Sequence, residues 1–209
     1  MEYDIEKLII GIGGSATNDA GVGMAQALGA KFLDENNEEI SFGGGELDKI
    51  KQIDLTEIDF RLEDIEVEVA CDVDNPLYGS RGAAHVYGPP QKGADSEMVN
   101  KLDKHLRYFN QLIRDKKNID LQEIRGSGAA GGLGGGLVVF LGADLRPGIE
   151  IIIEENRIEE KMSDLVLVIT GEGKMDGQSI QGKTPVGVAQ KAGEKDIPTI
   201  VIAGEIVLD

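Results

Sequence analysis

Glu172, Lys174, Asp176, Gln178, Ser179 and Lys183 fall within one short polar stretch, directly after the apolar run 165–169. A carboxylate so placed can hold a divalent cation or accept a proton from a hydroxyl. A lysine can offset the charge that develops on transferred phosphoryl oxygens. The competing reading is a solvated loop with incidental charges. Gly177, Gly182, Lys183 and Thr184 also reproduce the phosphate-loop spacing G-x-x-x-x-G-K-[ST]. In a true phosphate loop, however, the first glycine closes the strand. Here residues 171–176 intervene, so a phosphate-loop fold is not expected, although Lys183 near a helix start suits a phosphate.

Two more clusters carry candidate chemistry. Asp72, Asp74 and Asn75 follow an alternating segment and precede Pro76. Asp72 there suits a metal or a substrate hydroxyl, whereas Asp74 reads better as a turn-forming residue. Near the start, Gly11, Gly13 and Ala16 satisfy G-x-G-x-x-G/A after an apolar run, with Asp34 where a ribose-binding acid would be sought. Glycines at such a turn let backbone N–H groups approach an anion at a helix N-terminus, which implies phosphate binding without requiring a dinucleotide. Asn18 and Asp19 could equally cap the following helix.

The elements that must position these residues follow from hydrophobic periodicity. Leu8, Ile9, Ile10 and Ile12, then the glycines, then an Ala/Leu-rich stretch to Leu28, read as strand, turn and helix. Ile65, Val67, Val69 and Cys71 alternate with Glu66, Glu68 and Ala70, predicting a strand with one wet face. Met98, Leu102, Leu106, Phe109 and Ile113 predict an amphipathic helix over 97–113 that buries this stripe. His105 and His85 have no second ligand at metal spacing and read as structural. The glycine-rich 126–136 segment reads as a closely packed helix start. The run 165–169 predicts a parallel strand covered on both faces. A polar loop to Thr184, a helix opened by Pro185, a strand over 199–203 and a turn at Gly204 and Glu205 complete a βαβ unit. The pattern over 31–64 fixes no structure. The fold class expected is α/β with a mostly parallel sheet, and a more irregular region between about 31 and 160.

Composition narrows the functions. The 209 residues include 21 Lys plus Arg against 38 Asp plus Glu, a formal charge of −17, which opposes binding to nucleic acid or anionic membranes. A single cysteine, Cys71, and the lack of any apolar run of spanning length point to a reducing, cytoplasmic setting without a membrane anchor. Unpaired sheet edges favour self-association into a homo-oligomer.

Several separated blocks together resemble the bacterial glycerate kinase family: IIGIGGSATNDAGVGMAQALGA from Ile9, FGGGELD from Phe42, VACDVDNPLYG from Val69, GPPQKGA from Gly88, GSGAAGGLGGGL from Gly126 and ITGEGKMDGQSIQGKTPVGVA from Ile169. The resemblance implies two α/β regions, one Rossmann-like and one flavodoxin-like. We assign residues 1–30 with 160–209 to the former and 31–159 to the latter. It implies ATP and D-glycerate as substrates, Mg2+ as cofactor, and transfer of the γ-phosphoryl group to a glycerate hydroxyl. On that basis Asp176, Asp72 and Lys174 are the expected catalytic residues, with Asp176 also the metal ligand and Asp19 a third candidate base. Gly13, Gly14, Ser15, Asn18, Asp19, Glu172 and Lys183 are expected at ATP. Similar kinases carry a further N-terminal segment and continue beyond Ala203, so a rival expectation is an incomplete kinase-derived domain that binds without turnover. A nicotinamide-dependent oxidoreductase rests on the Gly11 fingerprint alone.

Overall fold

The computed structural model describes residues 5–175 and 184–207. In chain order they form β1 (Lys7–Gly11), α1 (Val22–Ala27), β2 (Lys31–Leu33), β3 (Gln52–Asp54), β4 (Glu66–Ala70), α2 (Ala83–Lys92), α3 (Ser96–Lys117), α4 (Leu133–Leu141), β5 (Asp144–Arg146), α5 (Gly148–Glu155), α6 (Ile158–Lys161), β6 (Val168–Met175), α7 (Thr184–Gly193) and β7 (Thr199–Ile206). The class is α/β with parallel strand pairs, as the sequence implies.

Two compact units are present, Met1–Leu145 and Arg146–Asp209. The expected boundaries fell instead near 30 and 159. The pairing of β1 with β4 shows why the division differs: a strand assigned to one region is hydrogen-bonded to a strand of the other.

In the first unit the sheet order is β1-β4-β5, with β1 and β4 parallel from Lys7 opposite Glu66 to Gly11 opposite Ala70. Both strands therefore end at the same edge, and the loops after Gly11 and Ala70 emerge side by side. The alternating β4 does not have the fully wet face expected of it. Glu68 is 4% exposed, and its Oε2 lies 2.9 Å from Lys7 Nζ on the neighbouring strand. A buried carboxylate is tolerable when paired.

The core lies between α3 and the elements that the sequence left undetermined. Leu106, Phe109 and Ile113 of α3 pack with Phe32 of β2, Leu47, Ile50 and Leu77. Phe140 of α4 meets Phe32 edge to face at 5.6 Å, a geometry worth about 0.5–1.5 kcal/mol beyond its burial. Helix α3 starts where Asp95 accepts from Met98 N at 2.8 Å. Its buried stripe runs through Val99 rather than Met98, which is 47% exposed. His105 is buried, with Nδ1 3.0 Å from Gly44 O and Nε2 3.5 Å from Asp48. It ties the 3-10 turn Gly44–Lys49 to α3, in keeping with its structural reading.

The second unit holds the βαβ order expected, but its first strand sits later in the sequence and its second runs beyond residue 203. β6 and β7 pair in parallel from Val168 opposite Thr199 to Met175 opposite Ile206. Residues 170–175, expected as loop, and Gly204–Glu205, expected as turn, are therefore strand. The ladder offers their backbones partners whatever their side chains, so polarity misled the reading. The expected cover on both faces is also not what the described residues show: Val166 is 88%, Ile169 62% and Ile202 64% exposed.

Candidate functional site

The loop 12–21 between β1 and α1 shapes the site. Helix α1 begins at Val22, well beyond Gly13–Ser15, so the expected placement of these three residues at a helix N-terminus does not hold. They line instead a cavity of about 290 Å³, together with Asp72, Cys71 and Val73 after β4, Tyr87, Gln91 and Lys92 of α2, and Ala129–Ala130. Gly13 and Gly14 keep it open, since a Cβ at either would meet no atom within 4 Å. A second cavity, of about 470 Å³, is lined by Ala16, Thr17, Asn18, Gly43, Gly44, Lys92 and Asp95, with Met98, Leu102 and Ala94 as apolar wall.

The far side of loop 12–21 is fixed by backbone packing. Ser15 Oγ donates to Ala130 O at 3.0 Å, and Ala20 N donates to Gly131 O at 3.2 Å. A Cβ at Gly131 would lie 1.9 Å from Thr17 O, and one at Gly44 would lie 2.0 Å from Asn18 O. The glycine-rich segment does open a helix, as expected: a 3-10 turn Ala129–Gly132 leads into α4, with Ala130, Gly131 and Gly132 in the left-handed region.

Asn18 and Asp19 part company here. Asp19 is 5% exposed, and its carboxylate accepts from Gly21 N and Gly23 N, each at 3.1 Å. It stitches the start of α1. Asn18 is 9% exposed, and neither Nδ2 nor Oδ1 has a hydrogen-bond partner among the described residues. An unfilled buried amide costs about 1–3 kcal/mol, and this one lines the larger cavity. Asp19 thus supports the start of α1, whose N-cap is Gly21, while Asn18 is left with an unfilled amide.

Lys92 is the site residue that sequence reasoning did not single out, although it lies in the quoted GPPQKGA block. Pro89 and Pro90 occupy the last turn of α2, and Gly93 closes it with φ 67°. Lys92 Nζ then donates to Thr17 O. Burial holds the amine's pKa below its ordinary value, while the nearby Asp19 carboxylate acts in the opposite sense. Burial likewise pushes up the Cys71 thiol and the Tyr87 hydroxyl, the latter donating to Asn75 Oδ1 at 2.6 Å. Asp74 pairs with Arg81 at 3.1 Å.

Of the remaining expected residues, Glu172 and Lys174 lie on β6 in the second unit, where Lys174 Nζ is 3.6 Å from Glu205. Asp176 and Lys183 lie outside the described residues. Asp34, the acid of the dinucleotide fingerprint, accepts from Asn36 N at 2.8 Å and Glu38 N at 3.0 Å and so belongs to its own turn. Among the described residues no group of three His, Cys, Asp or Glu side chains is placed to hold a metal ion, and no helix is long and apolar enough to cross a membrane.

Parallel strands whose C-terminal loops enclose a small cavity, with a glycine turn facing an aspartate, define an α/β protein built to take a small ligand at its sheet edge. Comparison with known proteins makes this specific. The profile of the Glycerate kinase family matches residues 1–209. Glycerate 2-kinase of Escherichia coli K12 is 49% identical over 209 residues, and glycerate kinase of Bacillus subtilis 168 is 50% identical over 209 residues. Both alignments take in 100% of this chain, with 55% and 54% of the two relatives respectively. A crystal structure of a Salmonella typhimurium LT2 protein assigned as glycerate kinase 2 superposes with a TM-score of 0.87 at 46% identity, over 97% of this chain and 56% of that one. The chain belongs to the glycerate kinase family, and it spans about half the length of the relatives it matches.

Proposed function

We propose that this chain carries the site of an ATP-dependent kinase that phosphorylates a hydroxyl of D-glycerate to give a phosphoglycerate. The observation that carries the reading is the shared edge of β1 and β4, where Gly13–Ser15 and Asp72 line one cavity. The smaller cavity suits a three-carbon acid. The larger suits a nucleotide, with Met98 and Leu102 against the base and the unfilled Asn18 amide offering it a donor and an acceptor.

In this reading Asp72 accepts the proton of the substrate hydroxyl. The hydroxyl oxygen bonds to the γ-phosphorus, the bond from that phosphorus to the bridging oxygen breaks, and ADP leaves. Backbone N–H groups of the 13–15 loop face the anionic substrate, which a chain of net charge −17 must otherwise repel. Mg2+ is ordinarily held by one or two carboxylates together with substrate phosphates. Asp72 fits as one such carboxylate, and the ion would neutralise phosphate charge. Asp176, Glu172, Lys174 and Lys183 keep the roles expected of them, to be tested by substitution. The name of the Escherichia coli relative favours the 2-hydroxyl as acceptor. A cytoplasmic setting and self-association complete the proposal.

The test is a coupled ADP-release assay with Mg-ATP and D-glycerate. Turnover that falls at least about a hundredfold in Asp72→Asn or Asp176→Ala supports the assignment. Turnover unchanged in Asp72→Asn removes Asp72 as base. Calorimetry showing ATP binding without turnover would favour the incomplete-domain reading instead.

A further inference from the structure

We infer that Lys92 stabilises the phosphoryl group in flight, an assignment that rests on the kinase reading above. Lys92 lines both cavities, and among the described residues that line them it is the one cation. The group transferred between a nucleotide in the larger cavity and an acid in the smaller must pass the seam between them, and among the described residues Lys92 is the one the two linings share. Its position is built rather than incidental. The amine is anchored on Thr17 O and lies against Gly131, where a Cβ would stand 2.7 Å from Nζ. Glycine at 131 thus leaves room for the ammonium as well as for the Thr17 carbonyl. One N–H is spent on that carbonyl, which leaves two donors for a ligand.

During transfer, one P–O bond forms to the acceptor hydroxyl oxygen and one breaks to ADP, while the proton goes to a carboxylate. Lys92 exchanges no proton and forms no bond. Its ammonium offsets the charge spread over the oxygens of the migrating group, the largest kind of contribution a fixed cation makes in such a site.

The experiment measures binding of inorganic tripolyphosphate and, separately, of D-glycerate to the unmodified chain, Lys92→Gln and Lys92→Arg by calorimetry. Tripolyphosphate affinity about tenfold weaker in Lys92→Gln, within about threefold of unmodified in Lys92→Arg, and glycerate affinity unchanged are the expected results. Because Lys92 also anchors Thr17, a loss of fold in Lys92→Gln would shift the decision to the unmodified chain. There, tripolyphosphate must protect Lys92 from amine acetylation, read by mass spectrometry. Equal affinity in all three proteins, or no protection, overturns the Lys92 assignment and leaves the kinase reading standing. Weakening of glycerate alone overturns it in favour of a carboxylate anchor. Failure of the unmodified chain to bind tripolyphosphate or ATP overturns both. Where turnover is present, Lys92→Gln should lower kcat/KM for ATP about a hundredfold or more, with kcat falling by a larger factor than KM rises.

Discussion

Two glycine-rich segments of this protein look alike in sequence and do opposite things. At Gly13 and Gly14, which line the smaller cavity, an added Cβ would meet nothing within 4 Å. At Gly128, Gly131, Gly132, Gly134 and Gly136 it would meet backbone or neighbouring atoms at 2.1, 1.9, 2.8, 2.5 and 2.3 Å. The first set keeps space for a ligand. The second lets main chain lie on main chain, pressing the 17–21 loop into place so that the first set faces a cavity of fixed shape. Glycine content therefore carries two meanings here, and the surroundings decide which applies.

The contrast is open to direct attack. Gly131→Ala should cost the most, about 4 kcal/mol or more, since it combines overlap with Thr17 O and a left-handed φ of 75°. Thermal unfolding reads this, and a shift of only a few degrees would mean that the packing is looser than described. Asp19→Ala, which frees the N–H groups of Gly21 and Gly23 at the junction of the segments, should cost about 1–2 kcal/mol by denaturant titration. Asn18→Leu should move in the other direction, gaining about 1 kcal/mol by removing an unfilled amide while weakening ATP binding. A stability loss in that variant would show that the amide has a structural partner. Gly13→Ala should change stability least, by about 0.5 kcal/mol in either direction, because its φ is not in the left-handed region. Its effect should appear in ligand affinity, and an intact affinity would separate the open glycines from the site.

How much of this was legible depends on where the partner of each residue lies in the chain. The strands at β1 and β4, the helix α3 and the glycine-opened α4 declared themselves through local periodicity. Glu68 did not, because the lysine that makes its burial tolerable sits on β1. Met98 was placed in the core and Val99 left out because one residue of phase decides which side of α3 is covered. For β6, side-chain polarity suggested loop where a parallel ladder supplies the order. The site was half legible: Gly13–Ser15 and Asp72 were named and do meet, whereas Asn18 and Asp19 could not be told apart from sequence. Lys92 had no local pattern to mark it, since its meaning comes from a carbonyl on Thr17 and a glycine at 131.

The bond from Ser15 to Ala130 spans 115 residues of chain. A site closed by so distant a segment has no early form. During synthesis at 5–20 residues per second, roughly ten seconds separate the appearance of the ligand-facing loop from that of the backbone that shapes it. Until then the loop lacks the backbone that shapes it, and a ligand can influence folding only once residue 130 has been made.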